Sequence, residues 1–256
     1  MKGGVVLLGG RYPSTNVIYN HLRKRVQIQR VVLESRRSRF NLLRKRAARL
    51  GAAKAIGQAC FRALIVPTLQ IAAFRRIRDL KHCFQLDDTS APGDRVVSIR
   101  SVNDPEIVQV LRDLDPAVVV VNGTRLIASD ILRSLRAPLV NLHAGVTPLY
   151  RGVHGAYWAL VEGDAQNCGV TLHLIDDGVD TGPVLRQARI QVTPRDNFAT
   201  YPWLQVAAAL PLLDAVLDDL LGGRAPSVVP TSGNSRLWTH PTMFEYMGHR
   251  IARGVK

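Results

Sequence analysis

Apolar residues recur along the chain with two periodicities, and their order predicts an α/β fold. Continuous apolar runs at residues 4–8, 31–33, 117–121 and 138–142 are typical of strands in a parallel sheet, which are buried on both faces. Between these runs, apolar positions three and four residues apart predict helices. The alternation of strand and helix predicts a Rossmann-like, doubly wound α/β domain with a mostly parallel sheet.

Local signals predict where several elements begin. Ser14 or Thr15 is expected to cap the first helix, directly after a glycine turn. Thr239 is expected to open a short last helix in an aromatic-rich tail that packs on the main domain. The other predicted elements are strands 96–99, 169–175 and 184–192 and helices 105–114, 129–135 and 204–221.

An arginine-rich segment separates the second strand from the third. Residues 36–81 have helical periodicity, and Gly51, Gly57 and Pro67 are expected to break the segment into two or three helices. The predicted organisation is a main domain at 1–222 carrying a basic helical insertion at 34–90, followed by a short C-terminal extension at 223–256.

Composition narrows the class of protein. The 256 residues are 46% hydrophobic and 21% charged, values that are ordinary for a globular domain and exclude disordered and fibrous classes. The longest apolar stretch, 63–74, is interrupted by Pro67, Thr68 and Gln70, and a membrane span needs about 20 apolar residues. We therefore expect no spanning helix, and MKGGVVLLGG at the N-terminus is too short in its apolar core for a signal peptide. Three cysteines without C-x-x-C spacing favour a cytoplasmic protein.

The positive charge belongs to one part of the chain. The formal net charge is +14. Residues 1–80 contain 18 Lys and Arg residues and two acidic residues, whereas residues 81–256 contain 16 Lys and Arg residues and 18 acidic residues. Such asymmetry predicts an anionic partner. The candidates are an anionic membrane surface contacted by residues 36–81, a nucleotide-linked substrate, or nucleic acid, which is not expected as the main partner. A solvated helix face is the plain alternative.

Three polar residues are predicted to meet where strands end. Asn141 and His143 are two apart on a predicted strand, so their side chains share one face, and Asp180 follows the turn after strand 169–175. An amide, an imidazole and a carboxylate suit acyl transfer without a nucleophilic side chain, because Asn and His stabilise an oxyanion and Asp orients His or moves a proton. This chemistry requires no metal.

The residues around this triad resemble a known signature. In order, NLHAGVTPLYRG (141–152), GVTLH (169–173) and DGVDTGPVL (177–185) resemble folate-dependent formyltransferases, which have N-x-H followed by L-P-x-Y-R-G. The resemblance is dense over 117–200, weaker over 1–30, and not recognised in 34–90 or beyond 222. The family's usual P-S-L-L-P is replaced by AGVTP (144–148), which predicts a reshaped acceptor side.

The resemblance implies a formyltransferase fold that uses 10-formyltetrahydrofolate as co-substrate, with Asn141, His143 and Asp180 as catalytic residues. Two loops would line the folate, largely through backbone groups: Asn122, Gly123, Thr124, Arg125, Leu126 and Ile127, and Ile175, Asp176, Asp177, Gly178 and Val179. The candidate substrate-binding residues are Gly10, Ser14, Asn16, Tyr150, Arg151 and His154.

The resemblance leaves the acceptor open. A primary amine on an amino sugar, possibly nucleotide-linked, is favoured because the tail after Gly222 is too short for the C-terminal β-barrel of methionyl-tRNA formyltransferases. Glycinamide ribonucleotide and methionyl-tRNA remain alternatives. A 10-formyltetrahydrofolate hydrolase would use the same triad with water, and a non-catalytic membrane- or nucleic-acid-binding protein would use only the basic segment.

Overall fold

The elements follow the predicted alternation. The computed structural model describes residues 4–35 and 38–256, so Arg36 and Arg37 of the basic segment lie outside the described residues. The first elements are β1 (Val5–Gly10), α1 (Pro13–Leu22), β2 (Ile28–Glu34), α2 (Arg39–Leu50), α3 (Ala52–Cys60), α4 (Val66–Ala72) and α5 (Phe74–Cys83). The central elements are β3 (Val96–Ile99), α6 (Pro105–Leu114), β4 (Val118–Asn122), α7 (Ser129–Ser134), β5 (Leu139–His143), β6 (Arg151–Gly152) and α8 (Gly155–Val161). The last are β7 (Gly169–Leu174), β8 (Val184–Arg189), α9 (Tyr201–Leu221), β9 (Leu237–Trp238) and α10 (Met243–Arg253).

Seven strands form one sheet in the order β3-β2-β1-β4-β5-β7-β8. The first five are parallel to one another, whereas β7 runs antiparallel to both β5 and β8. The prediction of a Rossmann-like, mostly parallel α/β sheet is therefore confirmed. The carboxyl ends of the five parallel strands lie at one edge, where ligands bind in folds of this kind.

The sheet core consists of the apolar runs seen in the sequence. The side chains of β1 from Val5 to Leu8 and of β4 from Val118 to Val121 are at most 1% exposed. Helix α9 covers one face of the sheet and buries its apolar side against it. Pro211 lies inside this helix without ending it, because packing on the sheet holds the helix on both sides of the proline.

The insertion differs from the prediction in its helix breaks. Gly51 ends α2 as expected, but α3 continues through a π-helical turn (Phe61–Ile65) into α4. Pro67 falls in the first turn after that π segment, where its missing N–H and its ring are tolerated. A Cβ on Gly57 would lie 2.9 Å from Cβ of Thr242, so this glycine allows close helix packing and does not break the helix.

The continuity of this helix removes the interruption on which the expectation of no spanning helix was based. Residues Ala52–Ala72 form a continuous helix of 21 residues that is long and apolar enough to cross a membrane, judged by length and composition alone. Pro67, Thr68 and Gln70 do not interrupt it. Only 17% of an apolar stretch of 18 residues within this helix is buried inside the protein.

The helix caps also differ from the prediction. Helix α1 begins at Pro13, so Ser14 and Thr15 lie inside it, and the Thr15 hydroxyl donates to the Gly10 carbonyl. The N-cap position is Tyr12, whose side chain makes no capping hydrogen bond. Helix α10 begins after Thr242, whose side chain accepts from Glu245 N–H in a capping box. This signal, T-x-x-E, lies three residues beyond the predicted start.

The C-terminal extension belongs to the fold, as the aromatic tail predicts. Trp238 and Tyr246 are buried in a second core with Phe61, whose ring lies 4.9 Å from that of Phe198. Strand β9 pairs in parallel with β6, a two-stranded ribbon that the sequence did not predict because each strand has only two residues.

A buried ion pair ties the insertion to the main domain. Arg76 of α5 donates to both oxygens of Asp196, at 2.8 and 3.1 Å, and the Asp196 side chain is fully buried. Burial alone raises the pKa of Asp196, but hydrogen bonds from Arg76 and Thr193 hold it below its ordinary value.

We expect Asp196→Ala to lower the free energy of unfolding by about 3–5 kcal/mol, because it leaves the Arg76 guanidinium without its buried partner. Asp79→Ala is the matched control: Asp79 pairs with Arg195 on the surface, and its loss should cost less than about 1 kcal/mol. Urea denaturation of both variants measures the difference, and equal losses would contradict the assignment.

Candidate active site

Three polar side chains meet at the sheet edge. Strand β5 ends with Asn141 and His143 on one face, and the chain after β7 returns Asp180 to them. His143 Nδ1 lies 3.3 Å from Asp180 Oδ2, and Asn141 Nδ2 donates to Asp180 Oδ1 at 3.3 Å. The structure thus brings together the residues that the N-x-H spacing and the later aspartate predict to converge.

The His143 ring has an oxygen acceptor near each nitrogen. Its Nε2 lies 2.8 Å from the Tyr150 carbonyl oxygen, which can only accept, so Nε2 carries a proton. Nδ1 then faces the Asp180 carboxylate. Burial lowers the pKa of His143, and the charge of Asp180 opposes this shift only in part. A proton gained during a reaction would therefore sit on Nδ1, between the ring and the carboxylate.

Gly145 allows this contact. A Cβ at Gly145 would lie 2.3 Å from the Tyr150 carbonyl oxygen and 2.7 Å from His143 Nε2. Only glycine lets the ring and the carbonyl approach each other here. This glycine is part of the departure from the usual pattern at 144–148.

Asp180 is held as an anion. Its Oδ2 accepts from Gly152 N–H at 2.9 Å, and its backbone is left-handed, with φ of 52°. Burial raises the pKa of Asp180, but its hydrogen bonds and its electrostatic interactions with the neighbouring imidazoles outweigh burial and hold it below its ordinary value. The carboxylate is ionised at neutral pH as a result.

A second histidine, His173, belongs to the same cluster. It lies opposite Asn141 in the β5–β7 pairing and is 2% exposed. Its Nδ1–H donates to the Leu174 carbonyl at 2.8 Å, so Nε2 is free to accept from Asn141 Nδ2 at 3.0 Å. His173 is the last residue of the GVTLH motif (169–173), but the motif by itself predicts no role for it. Only the antiparallel register of β7 against β5 reveals its position.

The first predicted folate loop, 122–127, is fixed by side chains at both ends. Asn122 Nδ2 donates to the hydroxyls of Ser14 and Thr15 at 3.0 and 2.8 Å. Arg125 pairs with the buried Glu34 carboxylate at 2.6 Å. Between Asn122 and Arg125, Gly123 has a φ of 66° and the Thr124 hydroxyl donates to the Arg125 carbonyl. After Arg125, Leu126 is 54% exposed, whereas Ile127 is buried.

The second predicted loop, 175–179, closes on itself beside Asp180. Asp176 accepts from Gly178 N–H at 3.1 Å and from the Thr181 hydroxyl at 2.8 Å. Arg151 donates to the Val179 carbonyl at 2.9 Å. Ile175 packs on the core, and Asp177 lies between it and Gly178 at the tip of the loop.

The predicted substrate residues divide into two groups. Gly10 and Ser14 lie at the carboxyl end of β1 beside the first loop, and Asn16 donates to the Asp88 carbonyl at 3.1 Å. These three tie the first strand and helix to neighbouring loops. They lie at the same sheet edge as the triad, and their contact with a substrate stays a prediction.

The side chains of Tyr150 and His154 are hydrogen-bonded to other residues of the protein. The Tyr150 ring is buried and its hydroxyl donates to Asp164 at 2.9 Å, so its contribution to the site is its backbone carbonyl. His154 contacts Phe198 and shares a 2.8 Å hydrogen bond with His240. Burial, then the charges of Arg62 and Arg46, lower the pKa of His154 to about 3, so it is neutral.

A basic cleft lies at the same sheet edge, where β2 and β3 end. Its volume is about 470 Å³, and it is lined by Ser35, Ser38, Asn41, Arg44, Lys45, Arg100 and Arg125. Strands β2 and β5 are three strand spacings apart, so the ends of these two strands lie about 14 Å from each other along the sheet edge. Sequence reasoning assigned Arg125 to the folate loop but did not bring Arg44, Lys45 and Arg100 together.

The chain was compared with protein-family models and curated sequences. The family model described as formyl transferase matches residues 53–202. The match begins inside the predicted insertion, where no resemblance was recognised, and it does not include residues 1–30. The chain is 30% identical over 175 residues to a methionyl-tRNA formyltransferase of Chlorobium chlorochromatii, covering 62% of this chain and 54% of that protein. The chain is 38% identical over 101 residues to the methionyl-tRNA formyltransferase of Thermodesulfovibrio yellowstonii, and this alignment covers 39% of this chain and 32% of that protein. The chain thus spans about half or less of these relatives.

Solved structures align with a larger share of this chain than these two sequences do. A sugar N-formyltransferase from Shewanella aligns with a TM-score of 0.53 at 15% identity, over 90% of this chain and 75% of that one. Glycinamide ribonucleotide transformylase 1 from Symbiobacterium toebii aligns with a TM-score of 0.56 at 18% identity, over 92% of this chain and 93% of that one. At these identities the likeness concerns the fold.

We expect Asp180→Asn to lower the pKa of His143 further, because the Asp180 charge is the main influence that raises it. An NMR titration of the imidazole resonances measures the shift, with the exposed Asp113→Asn as control. An unchanged or higher pKa would mean that Asp180 does not act on the ring electrostatically.

Proposed function

The chain belongs to the formyl transferase family, and on that basis we propose that it moves a formyl group from 10-formyltetrahydrofolate to a primary amine. The observation that carries the proposal is the contact of His143 and Asn141 with one ionised carboxylate, Asp180. The cluster offers a hydrogen-bond donor, a proton acceptor and a fixed negative charge within one site.

The two loops beside the triad suit a folate. Leu126 offers an exposed apolar side chain, and loops 122–127 and 175–179 offer backbone donors and acceptors next to Asp180. A flat, polar-edged ring is held well by such a combination. When bound, 10-formyltetrahydrofolate supplies the formyl carbon and leaves as tetrahydrofolate.

The side chains divide the work of the transfer. The acceptor nitrogen forms a bond to the formyl carbon while the bond from that carbon to the folate nitrogen breaks. Asn141 exchanges its long 3.3 Å hydrogen bond to Asp180 for one to the formyl oxygen, on which negative charge develops. His143 Nδ1, backed by Asp180, takes the proton that the amine loses and returns it to the departing folate nitrogen.

The basic cleft supports an acceptor that carries an anionic group. Arg44, Lys45 and Arg100 line a cleft at the ends of β2 and β3, and β2 lies three strand spacings, about 14 Å, from the triad strand β5, a separation that a nucleotide-linked amino sugar spans. Such a sugar is our first candidate. Methionyl-tRNA is a second, because the curated relatives are methionyl-tRNA formyltransferases and its phosphates would also suit the cleft.

Formation of tetrahydrofolate from 10-formyltetrahydrofolate, measured with a panel of amines, tests the function. We expect turnover that depends on an acceptor with a phosphate group, and a product heavier by one formyl group. Arg44→Gln with Lys45→Gln should raise KM about tenfold for that acceptor, because two charged contacts are lost, and leave kcat nearly unchanged.

His82→Ala, an exposed residue of α5, is the control and should match the unaltered protein. Tetrahydrofolate released equally with and without amines would identify a hydrolase. An equal KM for charged and neutral amines would remove the cleft from the acceptor site.

A further inference from the structure

The helix formed by residues Ala52–Ala72 is fixed to the protein along one face. Ala55, Gln58 and Phe61 are at most 1% exposed, and Gln58 donates to the His240 carbonyl at 2.7 Å. Farther along, Asn197 donates to the Leu69 carbonyl at 3.4 Å. These contacts make the helix an integral part of the domain.

The opposite face is apolar and exposed. Ile56, Leu64 and Ile71 are 56%, 59% and 78% exposed, and Phe74, the first residue of α5, is 67% exposed. The spacing of the first three by eight and seven residues keeps them on one side of the long helix. Soluble domains rarely leave such a continuous stripe uncovered.

Helix α10 extends this stripe. Its Phe244, Met247 and Ile251 are 77%, 41% and 81% exposed at positions i, i+3 and i+7. Phe244 and Ile56 line the same shallow groove between the two helices. We call the combined surface the apolar ridge, which consists of Ile56, Leu64, Ile71, Phe74, Phe244, Met247 and Ile251.

Exposed large apolar side chains are unevenly distributed along the chain. Among the described residues, nine of the fifteen exposed large apolar side chains lie either between Phe40 and Phe84 or on α10. The insertion and α10 therefore carry most of the large apolar side chains that are exposed among the described residues.

Positive charge lies on the same helical segment as the ridge, at Arg62 in the long helix and at Arg75 and Arg78 in α5, and we call these three arginines the basic margin. Arg62, Arg75 and Arg78 are exposed, and within residues 4–35 and 38–256 no ion pair engages them. Arg46 lies close enough to Arg62 that burial and then the charge of this neighbour lower its pKa. Among the residues that the structure describes, no carboxylate forms an ion pair with Arg46 or Arg62, and two neighbouring guanidinium groups attract an anion such as a phosphate group.

We propose that the apolar ridge and its basic margin dock the protein on the surface of an anionic lipid bilayer, with the ridge helices lying in the plane of the interface. Aromatic and aliphatic side chains enter the acyl boundary while arginines contact the lipid phosphates. The helix lies on the membrane and does not cross it, because a span would have to withdraw Gln58 and Phe61 from the core.

Charge is the observation that selects lipid as the occupant. A second copy of this chain would bring two basic margins together, and like charges repel. Nucleic acid would match the charge but leaves large aliphatic residues such as Ile71 and Ile251 in water. A bilayer with anionic lipids is the partner that satisfies the apolar ridge and the arginines at once.

Co-sedimentation of the full chain with vesicles tests the proposal. We expect binding to phosphatidylcholine vesicles that contain phosphatidylglycerol, weak binding to phosphatidylcholine alone, and a strong reduction at high salt. Arg62→Gln with Arg75→Gln and Arg78→Gln should weaken partitioning by about 100-fold, because each basic residue at the surface contributes about fivefold.

The ridge is tested by Leu64→Glu with Ile71→Glu, which should weaken binding at least about tenfold. Val228→Glu is the matched control, since Val228 is 56% exposed but lies outside the ridge, and it should bind as the unaltered protein does. Circular dichroism and formyl transfer verify that the variants fold.

Three results would overturn the proposal. One is equal recovery in the supernatant with anionic and neutral vesicles at low salt. Another is oligomerisation in light scattering that the ridge variants abolish while vesicle binding is absent, which would make a second copy the occupant. The third is vesicle binding that resists both high salt and alkaline extraction, which would indicate insertion across the bilayer.

Discussion

The site depends on the contact between the buried imidazole of His143 and the ionised carboxylate of Asp180. The ring is held from behind by the Tyr150 carbonyl, and this contact leaves Nδ1 as the only nitrogen that can change its proton. A neutral ring with acceptors on both sides is poorly satisfied, so a proton from a reacting amine is drawn to this position. The same carboxylate orients the Asn141 amide, so one charge organises the whole site.

Distant parts of the chain hold that carboxylate in place. Gly152 N–H donates to Asp180 from strand β6, and β6 is paired with β9 of the C-terminal extension. The extension packs in turn on the insertion, where the Phe61 and Tyr246 rings lie 5.2 Å apart. Segments that the sequence suggests are appendages therefore support the geometry of the active site, and they are parts of one domain.

Much of the fold was predictable because buried parallel strands are visible in sequence as continuous apolar runs, as at Val118–Val121. The triad was predictable because an N-x-H spacing on a strand forces two side chains onto one face. His173 and the basic cleft were not, since both require the pairing of strands far apart in sequence. Gly57 and Pro67 are typical helix breakers, but tight packing on Thr242 and a π-helical turn accommodate them.

The central claim is that His143 and Asp180 act as one unit on a formyl group, and turnover of single and double variants tests it most directly. His143→Ala and Asp180→Ala are each predicted to lower kcat by about 10²–10³. The double variant should then be little slower than the worse single variant, because removing either residue disables the pair. Losses that multiply in the double variant, or single variants with nearly full activity, would contradict the account.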